Sequence, residues 1–195
     1  MQKQEPPLLL FLVGAPAVGK MTVGYAIARL TGLRLFHNHL SIEPALRFFD
    51  FGTPSFDRLV GDFRRGVFEE VARSNLPGLI FTFVWAFDLP SESATVEQYA
   101  EPFRERGGRV LFAELQVELE ERLRRNETEF RLAEKPSKRD VELSRRRLLE
   151  HEGAYRFRSE GDHDDDENWL RLNTTQLQPE DVANIIVSHF ALRRL

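Results

Sequence analysis

The chain has 195 residues, of which 42% are apolar and 30% charged, the balance of one globular domain with a full core. A net charge of −4 supplies no bulk attraction to nucleic acid or anionic membranes, and the absence of cysteine excludes disulfides and cysteine-ligated zinc. The opening Met1-Gln-Lys-Gln-Glu-Pro-Pro7 has no signal-peptide pattern, and the apolar run behind it is too short to span a bilayer, so a cytoplasmic location is expected.

Leu8–Val13 is an unbroken apolar run and reads as a buried strand. Gly14-Ala-Pro-Ala-Val-Gly-Lys-Met-Thr22 follows, and Thr22–Leu30 reads as a helix closed by Thr31-Gly32. Leu33–Phe36 is a short second strand that runs into His37-Asn-His39. Ser41 is the cap of a helix that stops near Gly52, and Thr53-Pro54 opens a longer amphipathic one through Val71. After the break at Asn75-Leu-Pro-Gly78, Leu79–Phe87 reads as a strand covered on both faces, with Asp88 at its end. A helix over Ser91–Arg106, a strand over Arg109–Leu115 and a charged helix over Glu118–Asn126 come next. Glu127–Asp140 is polar, and Val141–Glu152 is helical. Glu160–Glu167 is an acidic loop, read as solvated and given no role. Asn168–Leu172 is the fifth strand and Pro179–Leu195 the last helix. Strands alternating with helices predict an α/β fold of three layers, a parallel five-stranded sheet with helices on both faces. One domain is expected, with acceptor-binding helices at about 41–75 and a lid at about 125–150.

Strand, G-x-x-x-x-G-K and helix together form a phosphate-binding loop. Its glycines let main-chain N–H groups turn toward phosphate oxygens, the helix adds the positive end of its dipole, and Lys20 adds a full charge. Gly14, Ala15, Ala17, Val18, Gly19, Lys20, Met21 and Thr22 are therefore the nucleotide-binding candidates. Met21 stands where a Ser or Thr hydroxyl usually meets magnesium, and a thioether is a poor ligand for that hard cation. No protein ligand to the metal is assigned. His37 and His39 share a face if extended, and each is equally readable as structural or as touching substrate. Phe81, Phe83, Trp85 and Phe87 share a strand face that is either core or pocket wall. Arg47, Arg58, Arg64 and Arg65 stand among Phe48, Phe49, Phe51, Phe56 and Phe63, in a chain with 16 phenylalanines.

The loop with Thr22 after Met21 resembles that of adenylate kinase, and the whole order of elements resembles the P-loop kinases of small molecules: adenylate, shikimate and gluconate kinases. The resemblance implies transfer of the γ-phosphate of ATP, with Mg2+, to a small-molecule acceptor. Glu121-Arg122-Leu123 looks like the start of the family's lid element, which implies Arg122 stacked on adenine and Arg125, Arg131 and Arg139 near the phosphates. Arg145–Arg147 adds a further contact on this reading. The loop after the last strand implies Thr174, Thr175 and Leu177 beside the adenine edge. The family's acidic residue after the second strand is replaced here by His37-Asn38-His39, so His39 and Asp88 compete as the group that orients the acceptor. Asp88 is also readable as an outer-sphere magnesium partner. A nucleoside monophosphate kinase and a nucleotide-dependent switch with little turnover remain alternatives at this point.

Overall fold

The computed structural model describes residues 6–195; the segment Met1–Glu5, on which the signal-peptide reading partly rests, lies outside the described residues. Five strands form one parallel sheet: β1 (Leu8–Val13), β2 (Arg34–His37), β3 (Gly78–Thr82), β4 (Arg109–Gln116) and β5 (Trp169–Asn173), in the order β2-β3-β1-β4-β5. The helices between them are α1 (Lys20–Thr31), α2 (His39–Ala45), α3 (Pro54–Arg73), α4 (Pro90–Arg104), α5 (Leu119–Asn126), α6 (Glu129–Glu134), α7 (Val141–Ala154) and α8 (Pro179–His189), with a 3-10 turn at Pro136–Lys138. β1 sits in the centre, in register with Leu79–Thr82 on one side and Val110–Glu114 on the other.

The strand period of two divides β1 between the sheet's faces. Leu10 and Leu12 join Ile80, Leu111, Ile27 of α1 and Ile186 of α8 in one core. Leu9, Phe11 and Val13 join Phe81, Phe112, Phe68 of α3 and Phe103 of α4 in the other. The second core is aromatic: Phe68 meets Phe81 edge-on at 5.0 Å and stacks on Tyr99 at 4.5 Å. No helix among the described residues is long and apolar enough to cross a membrane.

Several boundaries differ from the sequence reading. β3 ends at Thr82 and not at Phe87, because its pairing on both sides stops there: β2 ends with His37 opposite Thr82, and the last β1 residue paired with β3 is Leu12, opposite Thr82. Phe83 and Trp85 still bury their rings in the aromatic core, with Phe87 packed against it, so apolarity reported burial rather than extension. α2 begins at His39 and gives way after Ala45 to turns, so it is shorter than expected. The polar stretch before Asp140 contains α6 and the 3-10 turn. The last helix stops at His189; Ala191 takes a positive φ of 49°, and the Leu195 N–H reaches the Leu30 carbonyl at 3.0 Å.

Candidate active site

Because every strand points the same way, all the strand-to-helix turns gather at the sheet's C-terminal edge. A cavity of about 1530 Å³ opens there, lined by residues of the loop before α1, the α2–α3 region, α5 to α7 and the turn after β5. The loop curls between Val13 and Lys20. Gly14 has φ 130°, and a Cβ on it would fall 2.4 Å from the Leu115 carbonyl oxygen. Gly19 caps α1 with φ 98°, and Ala17 between them also has positive φ, 66°. Lys20 folds back over this curl: its Nζ donates to the Gly14 carbonyl at 2.5 Å and to that of Ala15 at 2.7 Å. Burial, and then the charges of Lys135, Arg131 and Arg122, hold its pKa well below the usual lysine value.

Two arginines of α5 brace the loop from outside. Arg122 Nε donates to the Pro16 carbonyl at 2.9 Å, and its Nη1 pairs with Glu152 of α7 at 2.6 Å. It is 2% exposed and does not line the cavity, so, contrary to the sequence expectation, it is not placed as an adenine platform. Pulling it out would cost both bonds and leave a buried pair broken. Arg125 does line the cavity. It donates to the Val18 carbonyl at 3.1 Å and to the carbonyls of Thr174 and Thr175 at 3.0 and 3.2 Å, tying the loop to the turn after β5. Glu121 holds it at 2.7 Å and holds Arg124 equally closely, and hydrogen bonds from these two arginines, Arg124 first, pull the Glu121 pKa down to about 2. Thr175 accepts from the Glu118 N–H at 3.1 Å and also lines the cavity, beside Leu177.

α6, the 3-10 turn and α7 form a flap over the loop that carries Arg131, Lys135, Lys138 and Arg147 to the cavity. None of these four, nor Lys20, has a salt-bridge partner among the described residues. The Arg131 Nε is buried without a hydrogen-bond partner, and burial lowers the Arg131 pKa to about 10. Burial first, then Arg131 and Lys138, lowers Lys135 to about 7; Lys138 is lowered for the same kinds of reason. Arg139 points elsewhere: it is exposed, donates to the Leu132 carbonyl at 3.3 Å and does not line the cavity, which corrects its expected place beside phosphates.

On the acceptor side, Asn38 follows β2 directly. Its N–H donates to Thr82 Oγ1 at 3.0 Å, and its Oδ1 accepts from Arg64 of α3 in a short contact. Arg64 also donates to Ser41 Oγ at 2.9 Å and lies over the Phe81 ring at 5.7 Å; burial lowers its pKa. Arg65 joins it at the cavity, while Arg47 and Arg58 do not. The two histidines separate. His37 is 2% exposed, off the cavity, and 3.5 Å from Glu134 without a hydrogen bond. His39 lines the cavity. Its Nδ1 lies 2.7 Å from Glu43 Oε1, and Glu43 in turn accepts from Ser137 of the flap, from Oγ at 2.6 Å and from N–H at 3.2 Å. Burial outweighs the Glu43 bond and, with Lys135 and Lys138 adding to it, lowers the His39 pKa to about 4. Asp88 does not compete: it is exposed, accepts from the Arg156 N–H at 3.1 Å and stands outside the cavity. Glu92, one helical turn on, lines the cavity instead; its Oε2 accepts from the Ala86 N–H at 2.5 Å, and burial raises its pKa.

Sequence reasoning missed Glu43, Glu92 and Lys135. Glu43 carried a faint signal, four residues after His39 and so one helical turn away. Glu92 and Lys135 carried none beyond charge. Among the described residues no three His, Cys, Asp or Glu side chains group as metal ligands. Met21 is buried in contact with the cavity wall, and Thr22 supplies the hydroxyl beside it.

No family model matches the chain, and no curated protein matches it. Solved structures do. It is similar to an unliganded sugar kinase from a Janibacter species (TM-score 0.63, 16% identity, 96% of each chain covered). It is similar to a gluconokinase from Sinorhizobium meliloti (TM-score 0.59, 13% identity, 97% of this chain and 94% of that one). It is also similar to shikimate kinase from Acinetobacter baumannii in complex with shikimate (TM-score 0.56, 20% identity, 96% and 94%). At these identities the likeness establishes the fold: the three-layer parallel α/β fold of the small-molecule P-loop kinases.

Proposed function

We propose that this protein is an ATP-dependent phosphotransferase that moves the γ-phosphate to a small-molecule acceptor. The observation that carries the reading is the set of unpaired cations, Lys20, Arg131, Lys135 and Lys138, held around a curled main-chain loop. Mutual repulsion and burial make this arrangement costly until a polyanion enters it. A triphosphate does so in the position that the loop amides and the α1 dipole favour. Arg125 and Thr175 then border the base, and the flap residues Arg131, Lys135 and Lys138 cover the phosphates. Magnesium bound to the triphosphate would supply charge neutralisation; Thr22, which lines the cavity, would offer it the loop's hydroxyl, and Met21 would offer no suitable ligand.

His39 is the group we assign to the acceptor. With Nδ1–H given to Glu43, Nε2 is left as the acceptor of a ring that lines the cavity. The acceptor oxygen forms its bond to Pγ as the bond from Pγ to the bridging oxygen breaks. ADP leaves with that electron pair, and the acceptor proton passes to Nε2. Lys135 and Lys138 contribute to the low pKa of His39. Phosphates that neutralise Lys135 and Lys138 remove part of its cause, so the base strengthens when nucleotide is bound. Glu43 links this base to the flap through Ser137, so flap closure and base orientation go together.

We read the protein as acting in the cytoplasm, where ATP and magnesium are abundant. The test is ADP production from ATP with and without a panel of acceptors. A kinase gives turnover that depends on the acceptor, whereas slow turnover independent of every acceptor supports a nucleotide-dependent switch.

A further inference from the structure

One wall of the cavity's acceptor end is apolar, opposite the polar groups of Asn38, His39, Arg64 and Arg65. Ile42, Ala45, Phe56 and Val60, with Leu46 against them, form a small core of their own, apart from the two cores that cover the sheet. Ile42, Leu46, Phe56 and Val60 line the cavity. So does Phe51, in the turn between α2 and α3, although its side chain is 69% exposed. Phe130 of the flap lines the cavity as well and is 46% exposed. Six of the eleven exposed large apolar side chains among the described residues fall between positions 40 and 63. Of these six, Phe51 is the one that lines the cavity, a solvated ring at the mouth of a site rather than scatter over the surface. Its polar counterpart comes from α4, which brings Glu92, Thr95 and Gln98 to the same cavity. The volume, about 1530 Å³, exceeds the upper end of an ordinary small-ligand pocket, roughly 1,000 Å³, and so has room for a nucleotide and a sizeable partner.

We propose that the acceptor is amphipathic: besides the hydroxyl that receives phosphate, it carries an apolar body of at least aromatic-ring size that lies on Leu46 and Phe51. This rests on the phosphotransfer reading above and narrows its substrate class. A polyhydroxylated acceptor would leave its hydroxyls unpaired against this wall. An apolar body instead takes the largely solvated Phe51 ring out of water.

The test uses the full chain with magnesium and AMPPNP, after titration has established that AMPPNP binds. Equilibrium dialysis then compares matched pairs that share a hydroxylated head: glycerol with phenoxypropanediol, and glucose with phenyl glucoside. The aryl member of at least one pair is expected to bind about tenfold more tightly than its bare partner, the effect of burying one ring face. Phe51→Ser is expected to abolish most of that ratio while leaving AMPPNP affinity unchanged. Phe48→Ser, which alters a side chain 75% exposed and off the cavity, is expected to leave the ratio intact and so controls for general stickiness. The proposal is overturned if neither aryl ligand gains affinity, if the gain survives Phe51→Ser, or if Phe48→Ser removes it equally. It is also overturned if sedimentation shows a dimer that Phe51→Ser dissociates, for then a second copy covers the patch. Failure of AMPPNP to bind at the first step instead removes the phosphotransfer reading, and this proposal with it.

Discussion

In the proposed function, Lys135 makes nucleotide binding a proton-linked event. Its pKa is held at about 7 by burial and by Arg131 and Lys138, against an ordinary 10.5. A triphosphate beside it favours the charged form, so its pKa rises in the complex. Between those two values, binding must take up a proton. The affinity for AMPPNP therefore falls as pH rises above about 7, by about tenfold per unit for Lys135 alone. Lys20 is lowered too and adds to the slope in the same sense. Without nucleotide the sign reverses: the unfolded chain binds the proton that folded Lys135 has lost, so stability rises with pH from about 7 toward 10.5. The assay is calorimetric titration at several pH values above the range in which the nucleotide's own phosphate titrates, in buffers of different ionisation enthalpy. Lys135→Arg keeps the charge at every pH. It should reduce proton uptake by about one and flatten the slope by about one decade per unit. An affinity that is flat from roughly pH 7.5 to about 9, or a slope that Lys135→Arg leaves unchanged, refutes the reasoning.

Three further outcomes follow from the same geometry. Arg122→Met should lower stability by about 2 kcal/mol, discounted because Glu152 remains partly hydrated, while leaving any preference between ATP and GTP unchanged; a changed base preference with unchanged stability would return Arg122 to the adenine. The His39 imidazole should titrate near 4 by NMR in the free protein and move upward when AMPPNP and magnesium bind, and Glu43→Gln should shift the free-protein value further down; a midpoint near 6.5 in all states would contradict its burial. Phe68→Ala, which removes a ring packed on Phe81 and Tyr99, should cost about 3–5 kcal/mol and lower the melting temperature by about 10 °C, read by calorimetry.

The layers of the fold were legible because they depend on local pattern. The alternation of Leu9, Phe11 and Val13 with Leu10 and Leu12 needs nothing but a two-sided sheet to explain it. The loop was equally legible: glycines at its two ends and a lysine after the second determine a curl and a charge, and those positions alone bring Lys20 onto the Gly14 and Ala15 carbonyls. What the sequence did not carry is direction. Arg122 and Arg125 are three residues apart on one short helix, yet one is sealed beneath the loop and the other borders the cavity, a difference decided by where α7 brings Glu152. Asp88 and Glu92 are both acids after β3. β3 leaves the sheet five residues earlier than its apolar run suggests, and this puts Glu92 at the cavity and Asp88 against Arg156. Lys135 looked like one more charge in a polar stretch; only the packing of α6 and the 3-10 turn over the loop gives it its depressed pKa.

Titration of the full chain and of its Lys20→Ala variant with AMPPNP in the presence of magnesium bears most directly on the whole account. Saturable binding by the natural chain, lost in a variant that still folds, is the outcome expected of a main-chain curl closed by one ammonium group. No binding by the natural chain, or equal binding by both, would contradict it.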